Sequence, residues 1–312
     1  MIQFAAVENS DVKEGRINEH HKPVMLNEVL QYLKPAEGMV VVDGTMGLGG
    51  HAAQILPYLG SSGRYIGIDQ DQSSLETAKI NLQHFETPIT FIHENFRYVD
   101  RVLEELGVKN IDGMIFDLGL SSFQLDNPER GFSLRSDGPL DMRLDQNNPV
   151  CAYDLINSLS EKELINVLQN YGEERWSKMI ARRLVNERNK NPLETTKQLR
   201  QLIMRAMPSG RARQKIHPAT RTFQALRIAV NRELEALEEV IPKIIPYLKT
   251  GGRLLIISFH SLEDRIVKNM FKDFLKEEKL EILTKKPIVP TDQEIEENPR
   301  SRSAKLRVAE KI

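Results

Sequence analysis

Two polar segments stand directly after apolar runs that are typical of buried β-strands. The run at residues 40–42 leads into the glycine-rich segment at 43–51, and the run at 65–68 ends at Asp69. Glycines let a ligand approach the backbone, and the helix expected next offers free N–H groups to a carboxylate or phosphate. An acid in the position of Asp69 accepts hydrogen bonds from a ribose diol. Together they predict a binding site for a ribonucleotide-type cofactor.

The glycine spacing does not choose the cofactor. Gly47, Gly49 and Ala52 fit the dinucleotide fingerprint literally, so NAD and S-adenosylmethionine both remain open on this pattern alone. The plainer alternative is a tight turn that only packs a helix against a strand.

Further candidates follow the next strands. Phe96 is placed to flank an adenine ring, or else to anchor the core. Asp117, after the run at 113–116, would approach a cation or an exocyclic amine at the carboxyl edge of the sheet. Asp141, His217 and His260 lie in loops expected at the same edge. No set of His, Cys and Asp shows ligand spacing, so no metal site is predicted.

These segments need a framework of alternating strands and helices. Strands at 40–42, 65–68, 89–93 and 113–116 alternate with helical patterns, which predicts a doubly wound α/β fold. The next strand, 253–258, follows only after about 135 residues, whereas a crossover needs a dozen or more. Residues 130–216 therefore form a helical insert, and a helix at 219–237 returns the chain to the sheet. We expect a polar extension before residue 21, a helix at 25–33, a helix at 96–106 and an edge hairpin from 280–288 and 305–312.

The composition is that of a soluble globular protein. The 312 residues include 43 Lys and Arg and 44 Asp and Glu, for a net charge of −1, and 40% are hydrophobic. No apolar run reaches the roughly 18 residues of a membrane span, and no secretory signal is recognisable, so a cytoplasmic protein without a membrane partner is expected. The single cysteine excludes an internal disulfide.

The near-neutral charge conceals a basic segment. Between Arg175 and Lys215 there are 12 Lys and Arg but only two acids, Glu187 and Glu194. Three of the basic residues, Arg211, Arg213 and Lys215, are expected in a loop. Such a cluster favours contact with nucleic-acid phosphates over the alternative of an ordinary solvated helix face.

The whole set of motifs, from about residue 20 to the end of the chain, resembles the RsmH/MraW family of 16S ribosomal RNA (cytosine-N4)-methyltransferases. The matching blocks are DGTMGLGGH at 43–51, DLGLSS at 117–122, QLD at 124–126, RGF at 130–132, DMRLD at 141–145, HPATRTFQALR at 217–227, SFHSLEDR at 258–265 and NPRSRSAKLR at 298–307. The resemblance implies a class I (Rossmann-like) methyltransferase fold with a mostly parallel doubly wound sheet. It further implies S-adenosyl-L-methionine as cofactor and N4 of cytidine 1402 in 16S rRNA of the 30S subunit as target.

The resemblance also assigns residues and domains. The family's cofactor positions correspond to Gly49, Gly50, His51, Asp69, Phe96, Asp117 and Gln124. The catalytic domain would comprise residues 1–129 and 217–312, with 130–216 as the substrate-recognition domain. One departure is that the chain has DLGL at 117–120, where many base amino-methyltransferases have Asp/Asn/Ser-Pro-Pro-Tyr/Phe. The roles of that motif do not carry over, and the catalytic residue stays open.

The chemistry of N-methylation leads to two hypotheses about the site. Asp117 or Asp141 accepts the amine proton, and His260 or His217 orients the base. Methylation at C5 would need a cysteine nucleophile, and Cys151 is not in the Pro-Cys arrangement used for it. A nicotinamide dehydrogenase and a non-catalytic RNA-binding factor are the competing interpretations. The pattern leaves open whether free RNA or an assembled subunit is the substrate, and whether the protein is a homodimer.

Overall fold

A computed structural model describes residues 23–207 and 217–312, and these contain one seven-stranded sheet in the order β3-β2-β1-β4-β5-β7-β6. The strands are β1 Val40–Asp43, β2 Arg64–Asp69, β3 Ile89–His93, β4 Ile111–Asp117, β5 Leu248–Ser258, β6 Leu280–Ile282 and β7 Lys305–Lys311. Strands β1 to β5 are parallel, while β7 runs antiparallel between β5 and β6. The predicted doubly wound, mostly parallel sheet is confirmed. The predicted extension before residue 21 and the basic residues Arg211 to Lys215 lie outside the described residues.

Helices connect the strands and form the insert. They are α1 Leu26–Leu33, α2 Gly50–Leu59, α3 Gln72–Leu82, α4 Val99–Glu105, α5 Ser122–Asp126, α6 Ala152–Ser158, α7 Glu161–Gly172, α8 Ser177–Arg188, α9 Thr196–Ala206, α10 Thr220–Asn231, α11 Glu233–Ile244, α12 Ser261–Lys276 and α13 Asp292–Glu297. Short 3-10 helices occur at Phe96–Tyr98, Pro128–Arg130, Ile245–Tyr247 and Pro299–Ser303. In the described part of the chain, no helix combines the length and apolarity needed to span a membrane.

The sheet is buried on both faces because successive side chains of a strand point to opposite sides. In β1, Val42 joins a core with α4, α11 and α12, whereas Val41 joins a core with α1, α2 and α3. The continuous apolar runs read from the sequence are therefore strands with helices on both faces, as expected for parallel sheets.

Three sequence predictions were wrong in detail. The helix expected at 219–237 is two helices, because Arg232 adopts a left-handed backbone conformation with φ 50°. The helix expected at 96–106 begins with a 3-10 turn. The hairpin is shorter than expected: β6 has three residues, and beyond it only Ile288 bridges to Leu306.

The insert has its own core, and α10 belongs to it. Phe223 and Leu226 of α10 are buried with Leu164 and Leu168 of α7. The two helices approach so closely that a Cβ on Gly172 would lie 2.6 Å from a carbonyl oxygen of α10. The domain boundaries at residues 129/130 and 216/217 remain predictions. Because α10 packs in the core of the insert, we favour placing the second of these boundaries after α10.

A buried ion pair fastens the insert to the sheet. Asp71, the N-cap of α3, accepts hydrogen bonds from Arg130 Nη1 at 2.7 Å and from Gln124 Nε2 at 2.8 Å. Arg130 also donates to the carbonyl oxygens of Arg143 and Leu144. Burial opposes ionisation of Asp71, but its hydrogen bonds and the charge of Arg130 outweigh that effect and lower its pKa.

We predict that Arg130→Met destabilises the fold. Asp71 would be left charged at 2% exposure, and breaking a buried pair costs about 3–5 kcal/mol. Urea denaturation measures the loss, which should shrink as the pH falls and Asp71 protonates. The matched control is Lys276→Met, whose pair with Asp273 is exposed and contributes at most about 1 kcal/mol. Equal losses for the two variants would contradict the assignment.

Candidate active site

Three carboxylates end neighbouring strands at the carboxyl edge of the sheet. Asp43, Asp69 and Asp117 are the last residues of β1, β2 and β4, and β1 lies between the other two. By the alternation of side chains, all three point to the face that also holds Tyr65 and Ile115. The fold therefore concentrates negative charge beside the loop that joins β1 to α2.

Asp43 is enclosed at 2% exposure. Its carboxylate accepts hydrogen bonds from the Tyr65 hydroxyl at 2.8 Å and from the Thr45 backbone N–H at 3.1 Å. Burial raises its pKa to about 6, although both hydrogen bonds act in the opposite direction.

Asp69 holds the glycine-rich loop in place. One carboxylate oxygen accepts the Gly47 N–H at 2.7 Å, and the other accepts the Asp71 N–H at 2.8 Å. Burial raises the pKa of Asp69 to about 6, with contributions from the charges of Asp71 and Asp43. The assignment of Asp69 to a ribose remains a prediction, since in this structure both oxygens bind backbone.

Asp117 has an oxygen available for a ligand. Its backbone N–H donates to Thr45 Oγ1 at 2.6 Å, and Oδ2 lies 3.8 Å from His51 Nδ1. Oδ1 is buried and has no hydrogen-bond partner among the described residues. Burial raises the pKa of Asp117 to about 8, and the charges of Asp43 and Glu263 act in the same direction.

The loop between β1 and α2 depends on its glycines. Gly47 and Gly49 have φ of 53° and 84°, in the left-handed region that favours glycine. A Cβ on Gly49 would lie 2.8 Å from Leu82, so α3 packs directly against the loop. Gly50 begins α2, and next to it the buried His51 has Nε2 3.0 Å from the Val24 carbonyl oxygen. The backbone of Gly49 and Gly50 thus lies at the carboxyl edge, next to Asp69 and Asp117.

Phe96 lies on the wall of a cleft at this edge. The cleft has about 420 Å³ of space, including the part open to solvent. Its lining residues include Thr45, Gln70, Asn95, Phe96, Gly119, Asn231, Glu233 and Glu263. Phe96 also packs edge-on against Phe116, with ring centroids 5.3 Å apart. The two sequence interpretations, ring-flanking residue and core anchor, are compatible in this position.

The Gln124 side chain makes hydrogen bonds to two other residues that the sequence does not reveal. Its side-chain oxygen accepts the Ser121 N–H in a capping box that begins α5, and its amide nitrogen donates to Asp71. Its role toward the cofactor remains a prediction.

The four catalytic candidates occupy different surroundings. Asp141 is held by Arg143, whose Nη2 lies 2.7 Å from Oδ2, and it lies in the inserted segment, before α6. His217 is exposed, and its Nδ1 accepts the Ala219 N–H at 3.2 Å. His260 is the N-cap of α12, directly after β5, which neighbours β4 and Asp117. The structure brings Asp117 and His260 to adjacent strand ends and gives neither Asp141 nor His217 a contact with them.

The sequence reading missed an ion network beside Asp117. Glu233, His260 and Glu263 each place one possible ligand atom within 4.8 Å of the others. Arg227 binds both oxygens of Glu233, at 2.9 and 2.7 Å, so an arginine already supplies the positive charge. We therefore assign no metal ion to Glu233, His260 and Glu263. Arg227, His260 and Glu263 stand in the motif blocks at 217–227 and 258–265, which was the available signal, whereas Glu233 lies outside both blocks.

The charge of the site discriminates between the two cofactors left open by the glycine pattern. Three crowded acids repel the diphosphate of NAD, whereas the sulfonium and ammonium groups of S-adenosyl-L-methionine would relieve their repulsion. The residues fit this cofactor, because Asp117 Oδ1 is buried without a partner among the described residues and a Cβ on Gly47 would meet only a backbone oxygen at 4.0 Å, which leaves room for close approach there. The sheet order, with a reversed β7 between β5 and β6, and this acid-lined loop define a class I methyltransferase.

Comparison with known proteins identifies the family. The family model described as the MraW methylase family matches residues 18–312, and the chain belongs to that family. A relative named ribosomal RNA small subunit methyltransferase H, from Halothermothrix orenii, is 46% identical over 307 residues, covering 94% of this chain and 98% of its own. A relative of the same name from Heliobacterium mobile is 48% identical over 309 residues, covering 94% and 99%.

We predict that cofactor affinity rises with pH. A cationic ligand favours the ionised form of Asp117, so below its pKa of about 8 binding must displace a proton. The association constant for S-adenosyl-L-methionine should rise by up to about tenfold per pH unit between pH 6.5 and 8, and then level off. Titration calorimetry in buffers of different ionisation enthalpy measures both the affinity and the released proton.

Asp117→Asn should weaken binding by about tenfold to a hundredfold at pH 8 and abolish the pH dependence near that pKa. The matched control is Asp126→Asn, because this exposed carboxylate pairs with Arg300 instead of facing the loop. Proton uptake by the wild type on binding, or an unchanged profile in Asp117→Asn, would contradict the electrostatic account.

Proposed function

We propose that this protein transfers the methyl group of S-adenosyl-L-methionine to N4 of one cytidine, position 1402, in 16S ribosomal RNA of the small subunit. Membership of the MraW methylase family supports the reaction class, and the relatives' names support a small-subunit RNA substrate. The observation that carries the proposal is the unpartnered, buried Oδ1 of Asp117 at the carboxyl edge, next to the glycine-rich loop.

A hydrogen-bond acceptor is what an amine of this kind requires. The N4 lone pair of cytosine is delocalised into the ring, so the amine is a poor nucleophile until it pyramidalises. When bound, the cofactor supplies an electrophilic methyl on its sulfonium. Asp117 Oδ1 accepts one N–H of the amine, which localises the lone pair and holds the nitrogen in position for the transfer.

The geometry favours Asp117 over Asp141 as the acceptor. Asp117 lies at the glycine-rich loop, whereas the Asp141 carboxylate accepts both Nε and Nη2 of Arg143. For the same reason His260, which follows the strand next to that of Asp117, is the better candidate to orient the base. His217 is exposed, and its Nδ1 accepts the Ala219 backbone N–H.

The lone cysteine supports methylation at nitrogen over methylation at C5. Cys151 precedes α6 in the insert, where its thiol donates to Asp154 Oδ2 at 3.1 Å. Burial and this hydrogen bond raise its pKa, which makes it a weak nucleophile. A C5-methyltransferase needs a reactive thiol at the base.

The basic surface of the insert is suited to bind the flanking phosphates of a flipped base. Lys178 and Arg182 are exposed at i, i+4 on α8, and Arg205 is exposed on α9. Arg182 approaches Glu161 only at 3.8 Å, and both side chains are solvent-accessible, so a phosphate can replace this partner.

We predict that the double variant Lys178→Ala, Arg182→Ala weakens RNA binding without affecting the cofactor. The slope of log K against log salt should fall by up to about 1.4, since each lost phosphate contact on single-stranded RNA contributes about 0.7. Filter binding across a salt series measures it. The control replaces Lys272 and Lys276 on α12 by alanine. An unchanged slope in the α8 variant would exclude that surface.

The direct test of the proposed reaction uses labelled S-adenosyl-L-methionine with 30S subunits or naked 16S RNA from a strain that lacks the enzyme. Nucleoside mass spectrometry should find N4-methylcytidine in at least one of the two substrates, and mass spectrometry of nuclease fragments should place it at one position. RNA binding without methyl transfer would instead favour a non-catalytic assembly factor. A homodimer and a cytoplasmic location remain predictions.

A further inference from the structure

The buried network beside Asp117 contains a carboxylate, Glu263, to which the proposed transfer reaction assigns no role. Glu263 is 2% exposed on the first turn of α12 and lines the cleft. One of its oxygens, Oε2, accepts the Phe259 N–H at 2.8 Å and the His260 N–H at 3.3 Å. Its other oxygen, Oε1, lies 3.0 Å from His260 Nε2. A carboxylate buried this completely needs a reason to remain ionised.

Arg227 provides that reason. Burial alone would favour the neutral acid, but the hydrogen bond of His260, together with the charge of Arg227, lowers the pKa of Glu263. Arg227 is itself held by Glu233 in a bidentate pair at the start of α11. The fixed negative charge of Glu263 is therefore built into the fold by residues from α10, α11 and α12.

Glu263 also fixes the ring of His260. His260 Nδ1 accepts the Glu263 backbone N–H at 3.4 Å, which places the proton of a neutral imidazole on Nε2, beside Glu263 Oε1. Glu263 thus makes one hydrogen bond to the ring, at Nδ1, and its carboxylate lies close to the other ring nitrogen. The ring is held at the end of β5, next to the strand that carries Asp117.

We propose that Glu263 is a positioning residue for methyl transfer, which locks the tautomer and orientation of His260 and places a fixed negative charge behind Asp117. This inference rests on the proposed function. Asp117 is faced by Asp43 from β1, by His51 from α2 and by Glu263 from α12. Of these groups, Glu263 alone also contacts His260, so it couples the amine acceptor to the base-orienting residue.

The test compares Glu263→Gln with the wild type in 16S RNA methylation across pH 5.5–9. Glutamine can still accept the Phe259 N–H, but it removes the charge that disfavours ionised Asp117. The acidic limb of the kcat profile should therefore move to lower pH by about half a unit or more. Loss of the His260 restraint should lower kcat about tenfold to a hundredfold, with KM for the cofactor changed less than about twofold at pH 9, where Asp117 is ionised in both proteins.

The matched control is Asp264→Asn. Asp264 is the next carboxylate on α12, but it faces Arg307 and Lys305 instead of the cleft. Its variant should keep the wild-type position of the acidic limb. An unmoved limb in Glu263→Gln, or an equal shift in Asp264→Asn, overturns the inference.

If Glu263→Gln does not fold, a second variant tests the inference. His260→Asn keeps a good N-cap residue for α12 while removing the imidazole. It should lower kcat and move the acidic limb by less than about half a unit, because the charge of Arg227 still favours ionised Glu263; an unchanged kcat overturns the inference. A wild-type protein that makes no N4-methylcytidine overturns the proposed function and this inference with it. An active wild type with an unmoved Glu263→Gln profile overturns only the inference.

Discussion

The crowding of three carboxylates at the ends of β1, β2 and β4 is the constraint on which the site depends. Parallel strands bring Asp43, Asp69 and Asp117 to one edge, and burial raises the pKa of each above its ordinary value. When ionised, these carboxylates are poorly solvated and repel one another. A cationic ligand stabilises the ionised carboxylates. An arrangement that is electrostatically unfavourable in the free protein therefore provides selectivity for a sulfonium cofactor.

The surrounding structure compensates for that charge with pairs contributed from a distance. Arg130 neutralises Asp71 beneath the insert, and Arg227 balances Glu233 and Glu263 behind Asp117. A further contact, from Arg265 and Ser261 to Glu173, links the start of α12 to the end of α7. The helix that presents His260 is therefore fastened directly to the helical insert, whose neighbouring helix α8 presents basic side chains.

Much of this architecture follows from local sequence signals. Apolar runs predicted β1 to β5 because buried strands leave a strong pattern, and the capping boxes that begin α7 at Ser160 and α9 at Thr195 are equally local. The long-range pairs left no such signal: Arg130 finds Asp71 across 59 positions, and Arg227 acts on Glu263 only after α10 and α12 pack. The break at Arg232 escaped prediction because a non-glycine residue in a left-handed conformation is stabilised by tertiary contacts, here Arg97 Nη2 to its carbonyl oxygen.

The ionisation of Asp117 is the central electrostatic property of the site, and carbon-13 NMR of the labelled carboxyl groups can follow it with and without S-adenosyl-L-methionine. Assigned by comparison with Asp117→Asn, its resonance should titrate with a pKa of about 8 in the free protein. With the cofactor bound, the carboxyl group should remain ionised well below that pH. An ordinary pKa in the free protein, or a pKa that the cofactor leaves unchanged or raises, would contradict the claim that a crowded acid cluster selects the cation.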